Sequence, residues 1–154
     1  MCGIKEYSLA RYLKVKRKKT MVNVTPMLTD NMQVIQCYDK SRFTIKDINY
    51  TGPILVDQEN IRHWDIESNV LWSKFDLLTL EPIFEAKQKY DILLIGSGSR
   101  QIFFPPSLRL RIREQGPVVE VMSTAAACRT FSLLLAEGRR VAAALLPIGW
   151  LIEA

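Results

Sequence analysis

One histidine in 154 residues leaves little room for imidazole chemistry, and His63 stands in a segment apart from every candidate nucleophile. The three cysteines, Cys2, Cys37 and Cys128, form no Cys-x-x-Cys pair. Their odd number argues against a disulfide framework or a zinc site and favours a reducing compartment. No apolar run approaches the ~20 residues that cross a bilayer, so a soluble chain without membrane insertion is expected. The nearest such run is Val141 to Leu146. What remains, 48% hydrophobic and 24% charged residues, suits one globular domain with a single core.

The net charge of +5 is confined to one end. Residues 1–29 carry seven basic side chains, from Lys5 to Lys19, against the single acid Glu6. That leaves fourteen basic and fifteen acidic residues for the other 125, a balance of −1 with no overall attraction to phosphate backbones. The first segment is therefore expected to be a basic, disordered extension, since a charge run lacks the apolar content to order itself. Two other readings stay open for it, an organelle transit peptide and a basic arm for nucleic acid or anionic lipid.

Hydrophobic patterning places the rest. Val34–Tyr38 and Arg42–Ile45 are short β-prone runs joined by the polar turn Asp39-Lys40-Ser41. Residues 47–53 read as a second turn before Ile54–Val56, and Ile61–Trp64 as one more short strand. Residues 67–74 show no period. Leu77–Lys87 fits one helical face, with Pro82 near its first turn. From Asp91 onward the pattern is strand, glycine turn, helix, strand, helix, strand. Ile92–Ile95 ends on Gly96-Ser97-Gly98. Pro105-Pro106 opens a helix that Gly116-Pro117 stops. Val118–Met122 runs into a helix from Thr124 to Glu137, capped by Ser123 or Thr124 and closed by Gly138. Val141–Leu146 reads as a central strand, and Glu137 with Arg139 or Arg140 as an ion pair at the helix end. The expected fold class is α/β: a three-layer domain over residues 30–147 with a mixed central sheet, an N-terminal β ribbon and flanking helices, followed by a tail over 148–154.

Two strands that end on turns and feed helices bring both turns to one edge of a sheet. There, Gly96, Ser97, Gly98 and Arg100 with the helix start at Ser123 and Thr124 form a candidate anion or small-ligand site, built from backbone N–H groups and one guanidinium. The alternative is a plain tight turn. A dinucleotide fingerprint is absent, because Phe103-Phe104-Pro105-Pro106 stands where a third glycine and a helix start belong. Cys128, inside an Ala-rich helix, reads as a small buried thiol. No catalytic set, metal or cofactor is expected. Phe103 and Phe104, adjacent in extended chain, cannot both enter one core pocket. With Trp150 they are candidate contacts for a protein partner.

The segments Leu94-Ile95-Gly96-Ser97-Gly98-Ser99-Arg100, Glu120–Phe131 and Ala136–Leu145, in that order and spacing, resemble a widespread family of small uncharacterised bacterial and archaeal domains. The family's mitochondrial relative is an assembly factor for respiratory complex I, the NADH:ubiquinone oxidoreductase. The Glu137-Gly138-Arg139-Arg140-Val141 form is closer to proteobacterial members. The resemblance implies the three-layer fold and no reaction. Where the family commonly has Gly-Thr-Gly, an aspartate before the helix threonine and an asparagine after the aromatic, this chain has Ser97, Ser123 and Ser132. The expected function is a non-enzymatic protein-binding domain, possible homo-oligomerisation included, that assists assembly of a membrane respiratory complex. The alternative is binding of an anion or small molecule at the Gly96–Arg100 turn. The expected location is the bacterial cytoplasm, or the mitochondrial matrix if the basic segment is a transit peptide.

Overall fold

The computed structural model describes residues 32–68, 71–86 and 89–150, so the expectations for residues 1–29 and for the last four residues lie outside it. Three short strands, β1 (Ile35–Tyr38), β2 (Arg42–Ile45) and β3 (Ile48–Thr51), form an antiparallel sheet in that order. β1 and β2 occupy the two runs read from sequence. β3 replaces the turn expected over 47–53. The chain reverses instead at Lys46 and Asp47, both at positive φ, +50° and +63°. Two-residue hairpin turns need this backbone because it matches strand twist. Gln36 Oε1 accepts the Asp47 N–H at 2.8 Å and holds the turn.

A five-stranded mixed sheet forms the centre, made by β4 (Ile54–Val56), β5 (Ile61–His63), β6 (Ile92–Ser97), β7 (Val118–Met122) and β8 (Val141–Leu146), in the order β5-β4-β8-β6-β7. β6 runs parallel to both β7 and β8, whereas β4 is antiparallel to β8 and β5. Every residue of β8 is buried, as a strand covered on both faces requires. The helices are α1 (Glu81–Phe84), α2 (Pro106–Glu114) and α3 (Thr124–Ala136).

Alternation along the strands feeds two cores. Leu55, Leu93, Ile95, Val119, Val121 and Ala144 face a layer built from Trp64, residues 72–83 and the α2 residues Leu108 and Ile112. Ile54, Val56, Leu94, Ala143 and Leu145 face α3, through Ala127, Cys128, Phe131 and Leu135, and the small sheet, through Tyr38, Phe43 and Ile45. Each fully buried Leu, Ile or Phe contributes about 1.5–3 kcal/mol. The expected three layers and mixed sheet are therefore present.

Local departures have local causes. The helix expected over 77–87 is a 3-10 turn, Leu77–Leu80, followed by the single turn α1. Asp76 accepts the Leu78 N–H at 2.9 Å and tightens the start, while Pro82, lacking an N–H, is tolerated only in the first turn of a helix and so begins α1 afresh. Arg140 does not pair with Glu137. It forms a two-point ion pair with Asp91, Nη2 to Oδ1 at 2.6 Å and Nε to Oδ2 at 3.0 Å, where β6 begins. Cys37 is disulfide-bonded, against the reading of the cysteine count. Cys128 is free and buried.

β7 ends the sheet. The Val118 N–H bonds to the Asp91 carbonyl just before β6, which turns the Val119 carbonyl outward. Arg109 of α2 donates to that carbonyl through Nη1 at 3.0 Å, its guanidinium lying 5.8 Å from the Phe104 ring centre.

Candidate functional site

The residues predicted for a ligand site do meet at the carboxyl ends of β6 and β8. Thr124, fully buried at the start of α3, is the hub. Its Oγ1 accepts the Gly98 N–H at 2.9 Å and donates to the Leu146 carbonyl at 2.5 Å, while its own N–H bonds to the Gly98 carbonyl at 2.9 Å. Ser97, 5% exposed, has its hydroxyl 2.7 Å from the Arg100 carbonyl and 3.0 Å from the Met122 carbonyl. Ser123 Oγ accepts the Ala126 N–H at 3.4 Å and caps α3.

Glycine is needed twice here for different reasons. A Cβ on Gly96 would stand 2.9 Å from Leu145 Cδ2 and 3.1 Å from the Thr124 Cα, so close helix–strand packing excludes it. Gly98 has φ +93°, a backbone that side chains disfavour. The carbonyls of Trp150, Pro147 and Ile148 lie 3.4, 3.7 and 3.8 Å from where its Cβ would stand. The chain after β8 thus folds over the glycine turn, pinned by the Gly149 N–H to the Lys40 carbonyl at 2.9 Å. Sequence reading left this segment as a tail; Pro147 and Gly149 were the signals of a turn.

These pairings decide the chemistry of the turn. The Gly98 and Thr124 N–H groups are used inside the chain, and the carbonyl oxygens of Pro147, Ile148 and Trp150 stand beside Gly98. Arg100 is exposed and adds its charge outside the turn. A cleft of about 330 Å³, lined by Ile83, Phe84, Tyr90, Asp91 and Glu114 among others, lies at the opposite ends of β6 and β7.

The three candidate contacts separate. Phe103 is 75% exposed. Phe104 is 3% exposed, stacked edge-on against Trp72 at 5.1 Å and near Phe75 at 6.4 Å, which makes it a core residue and not a surface anchor. Trp150 is half-buried against the same core. His63 is exposed on β5, far in the chain from Cys128, whose thiol is itself buried. Among the described residues no group of three or more His, Cys, Asp or Glu is placed to hold a metal, and no helix is long and apolar enough to cross a membrane.

Burial pushes the Cys128 thiol well above its ordinary range, with the Arg129 charge only partly offsetting. Burial also raises Tyr90, helped by a hydrogen bond and charge from Asp57. Both groups are neutral in the fold and ionise more readily when unfolded. The Cys128 contribution is complete below the ordinary thiol value of about 8.5 and the Tyr90 contribution below the ordinary phenol value of about 10, and each is lost as pH climbs above that value. Urea unfolding between pH ~8 and ~10.5 is expected to show stability falling by up to about 1.4 kcal/mol per unit for one group, with Cys128→Ala flattening the early part. A flat profile in the wild type would contradict this burial.

The fold and this turn define a class: a small mixed α/β domain whose glycine turn is closed by its own hydroxyls and carboxyl-terminal strand end. Residues 35–146 match the family described as protein of unknown function (DUF498/DUF598), and the chain belongs to it. It is 39% identical over 114 residues to an uncharacterised protein of Rhodobacter capsulatus, covering 74% of this chain and 84% of that one. It is 33% identical over 113 residues to the Xenopus tropicalis NADH dehydrogenase [ubiquinone] 1 alpha subcomplex assembly factor 3, covering 73% of this chain. The match spans 60% of that relative's length. Among solved structures, a Bartonella henselae outer membrane protein superposes with TM-score 0.66 at 29% identity, over 84% of this chain and 99% of that one. A Bordetella pertussis Mth938-like domain shares the fold, with TM-score 0.65 at 23% identity over 83% and 94% of the two chains.

Proposed function

We propose that this protein is a non-enzymatic protein-binding domain that assists assembly of a membrane respiratory complex. The carrying observation is the similarity over 113 residues to a vertebrate protein named as an NADH dehydrogenase assembly factor. The turn supports the same reading, because the Gly98 N–H and the Thr124 N–H and hydroxyl are spent on one another and on the Leu146 carbonyl. Phe103, 75% exposed, is the proposed anchor for the partner. The bacterial cytoplasm is the proposed location; the mitochondrial matrix applies instead where residues 1–29 serve as a transit peptide.

Affinity capture from native lysate with the full chain tests this. Respiratory-complex subunits are expected to be enriched, and Phe103→Ala is expected to reduce their recovery several-fold at unchanged thermal stability. Recovery of no such subunit by the wild type would overturn the proposal.

A further inference from the structure

Among the described residues, the outer face of α3 has no cover. Thr124, Ala127, Cys128, Phe131, Ser132 and Leu135 are buried on its inner side. The opposite side carries Arg129, Leu133 and, at the C-cap, Glu137, all exposed, with Leu133 at 46%. Side chains four residues apart stand one above the other on a helix, so these three form a single row. Ala126 and Thr130, beside the row, are half-buried and short, which leaves room for another helix to approach.

Both charges of the row are unspent. Arg129 and Glu137 lie eight residues apart, about 12 Å along the axis, outside the reach of i,i+4 pairing. Among the described residues the ion pairs are Arg42–Asp39 and Arg140–Asp91. The Arg129 charge is felt at Tyr38 and at the Cys128 thiol, but both are held neutral by burial and do not compensate it. Glu137 has the wrong sign for its place, because the C-terminal end of a helix is partly negative and favours a cation.

We propose that α3 binds the α3 of a second copy of the chain, antiparallel, across a two-fold axis through Leu133. Leu133 then meets its own copy, and at each end Arg129 of one protomer meets Glu137 of its partner. The row itself names the occupant. It reads base, leucine, acid at equal spacing, and such a row complements itself when reversed, as a two-fold contact reverses it. A crossing angle of about 20° keeps positions four residues from the axis within reach of each other. The inference does not rest on the assembly role, because it concerns the purified chain alone and Phe103 has no part in it.

Sedimentation equilibrium of the full 17.7 kDa chain tests it. A dimer is expected to form between about 10 μM and 1 mM, as suits a small contact. Leu133→Glu puts two carboxylates on the axis and is expected to leave a monomer at about 1 mM. Arg129→Glu sets acid against acid at both ends, and Glu137→Arg sets base against base; each is expected to raise the dimer dissociation constant about tenfold or more. Both substitutions in one chain exchange the ends and restore opposite signs, so the double variant is expected to dimerise about as tightly as wild type. A wild type that stays monomeric to about 1 mM, a dimer indifferent to Leu133→Glu, or a double variant weaker than either single one would each overturn the proposal. Amide shifts on dilution of the wild type need no variant and are expected to concentrate over residues 126–137. Shifts confined to α2 or β7 would place the contact elsewhere and overturn it as well. The substituted side chains are exposed, so unchanged unfolding midpoints control for folding.

Discussion

Thr124→Val is expected to lower the free energy of unfolding by about 2–6 kcal/mol, although it replaces a hydroxyl by a methyl of nearly the same size. The reason is the pair of groups it abandons. The Gly98 N–H and the Leu146 carbonyl both end on Thr124 Oγ1 in a site without solvent access. A buried backbone group left unpaired costs about 1–3 kcal/mol, and here there are two. Thr124→Ser keeps the hydroxyl and removes one methyl, so its cost should stay near ~1 kcal/mol. Urea denaturation of the three proteins measures the difference. A Val variant within about 1 kcal/mol of wild type would show that water or a rearranged turn satisfies both groups.

Trp64→Ala should cost about 3–5 kcal/mol, the range for deleting a large aromatic from a closed core. Trp64 is fully buried at the end of β5, its ring edge-on to Phe75 at 6.1 Å. Its Nε1 donates to Thr79 Oγ1 at 3.1 Å, and Thr79 in turn donates to the Asp76 carbonyl at 2.8 Å. The indole therefore fastens the 72–80 segment to the sheet as well as filling space. Trp64→Phe retains most of the volume and loses the tie, so it should cost about 1–2 kcal/mol. Amide exchange would then show the loss concentrated over residues 72–84; uniform acceleration across β8 and α3 would mean that the segment has no separate stability.

Elements with strong punctuation were legible in the sequence. Pro105-Pro106 and Gly116-Pro117 bracket α2, Ser123 and Gly138 bracket α3, and the unbroken apolar runs mark β6 and β8. β3 was not legible, because its turn uses Lys46 and Asp47 where positive φ normally selects Asn or Gly. The length of α1 was hidden for a related reason, since residues 77–86 keep a helical spacing of apolar side chains while Asp76 and Pro82 divide the backbone. At the candidate site the residues were found and their use was not. Gly96, Gly98 and Thr124 share an edge by topology, but the Thr124 hydroxyl that receives the Gly98 N–H donates to the end of β8, 22 residues beyond Thr124, and that pairing depends on β8 lying beside β6. The adjacent pair Phe103 and Phe104 announced that one ring points outward; which one is decided by Trp72 and Phe75, far away in the chain.

The contact between Arg109 and the Val119 carbonyl bears on how this protein stays separate from its neighbours in a crowded cell. An open strand at the rim of a sheet is a template on which any extended chain can zip up, the first step of sheet-to-sheet aggregation. On β7 one acceptor of that template, the Val119 carbonyl, is already occupied by a guanidinium, itself held over an aromatic ring. An incoming strand would have to expel a charged group and offer it nothing in return. One side chain from an adjacent helix thus disfavours strand addition at this point of the rim, at no cost in strand length.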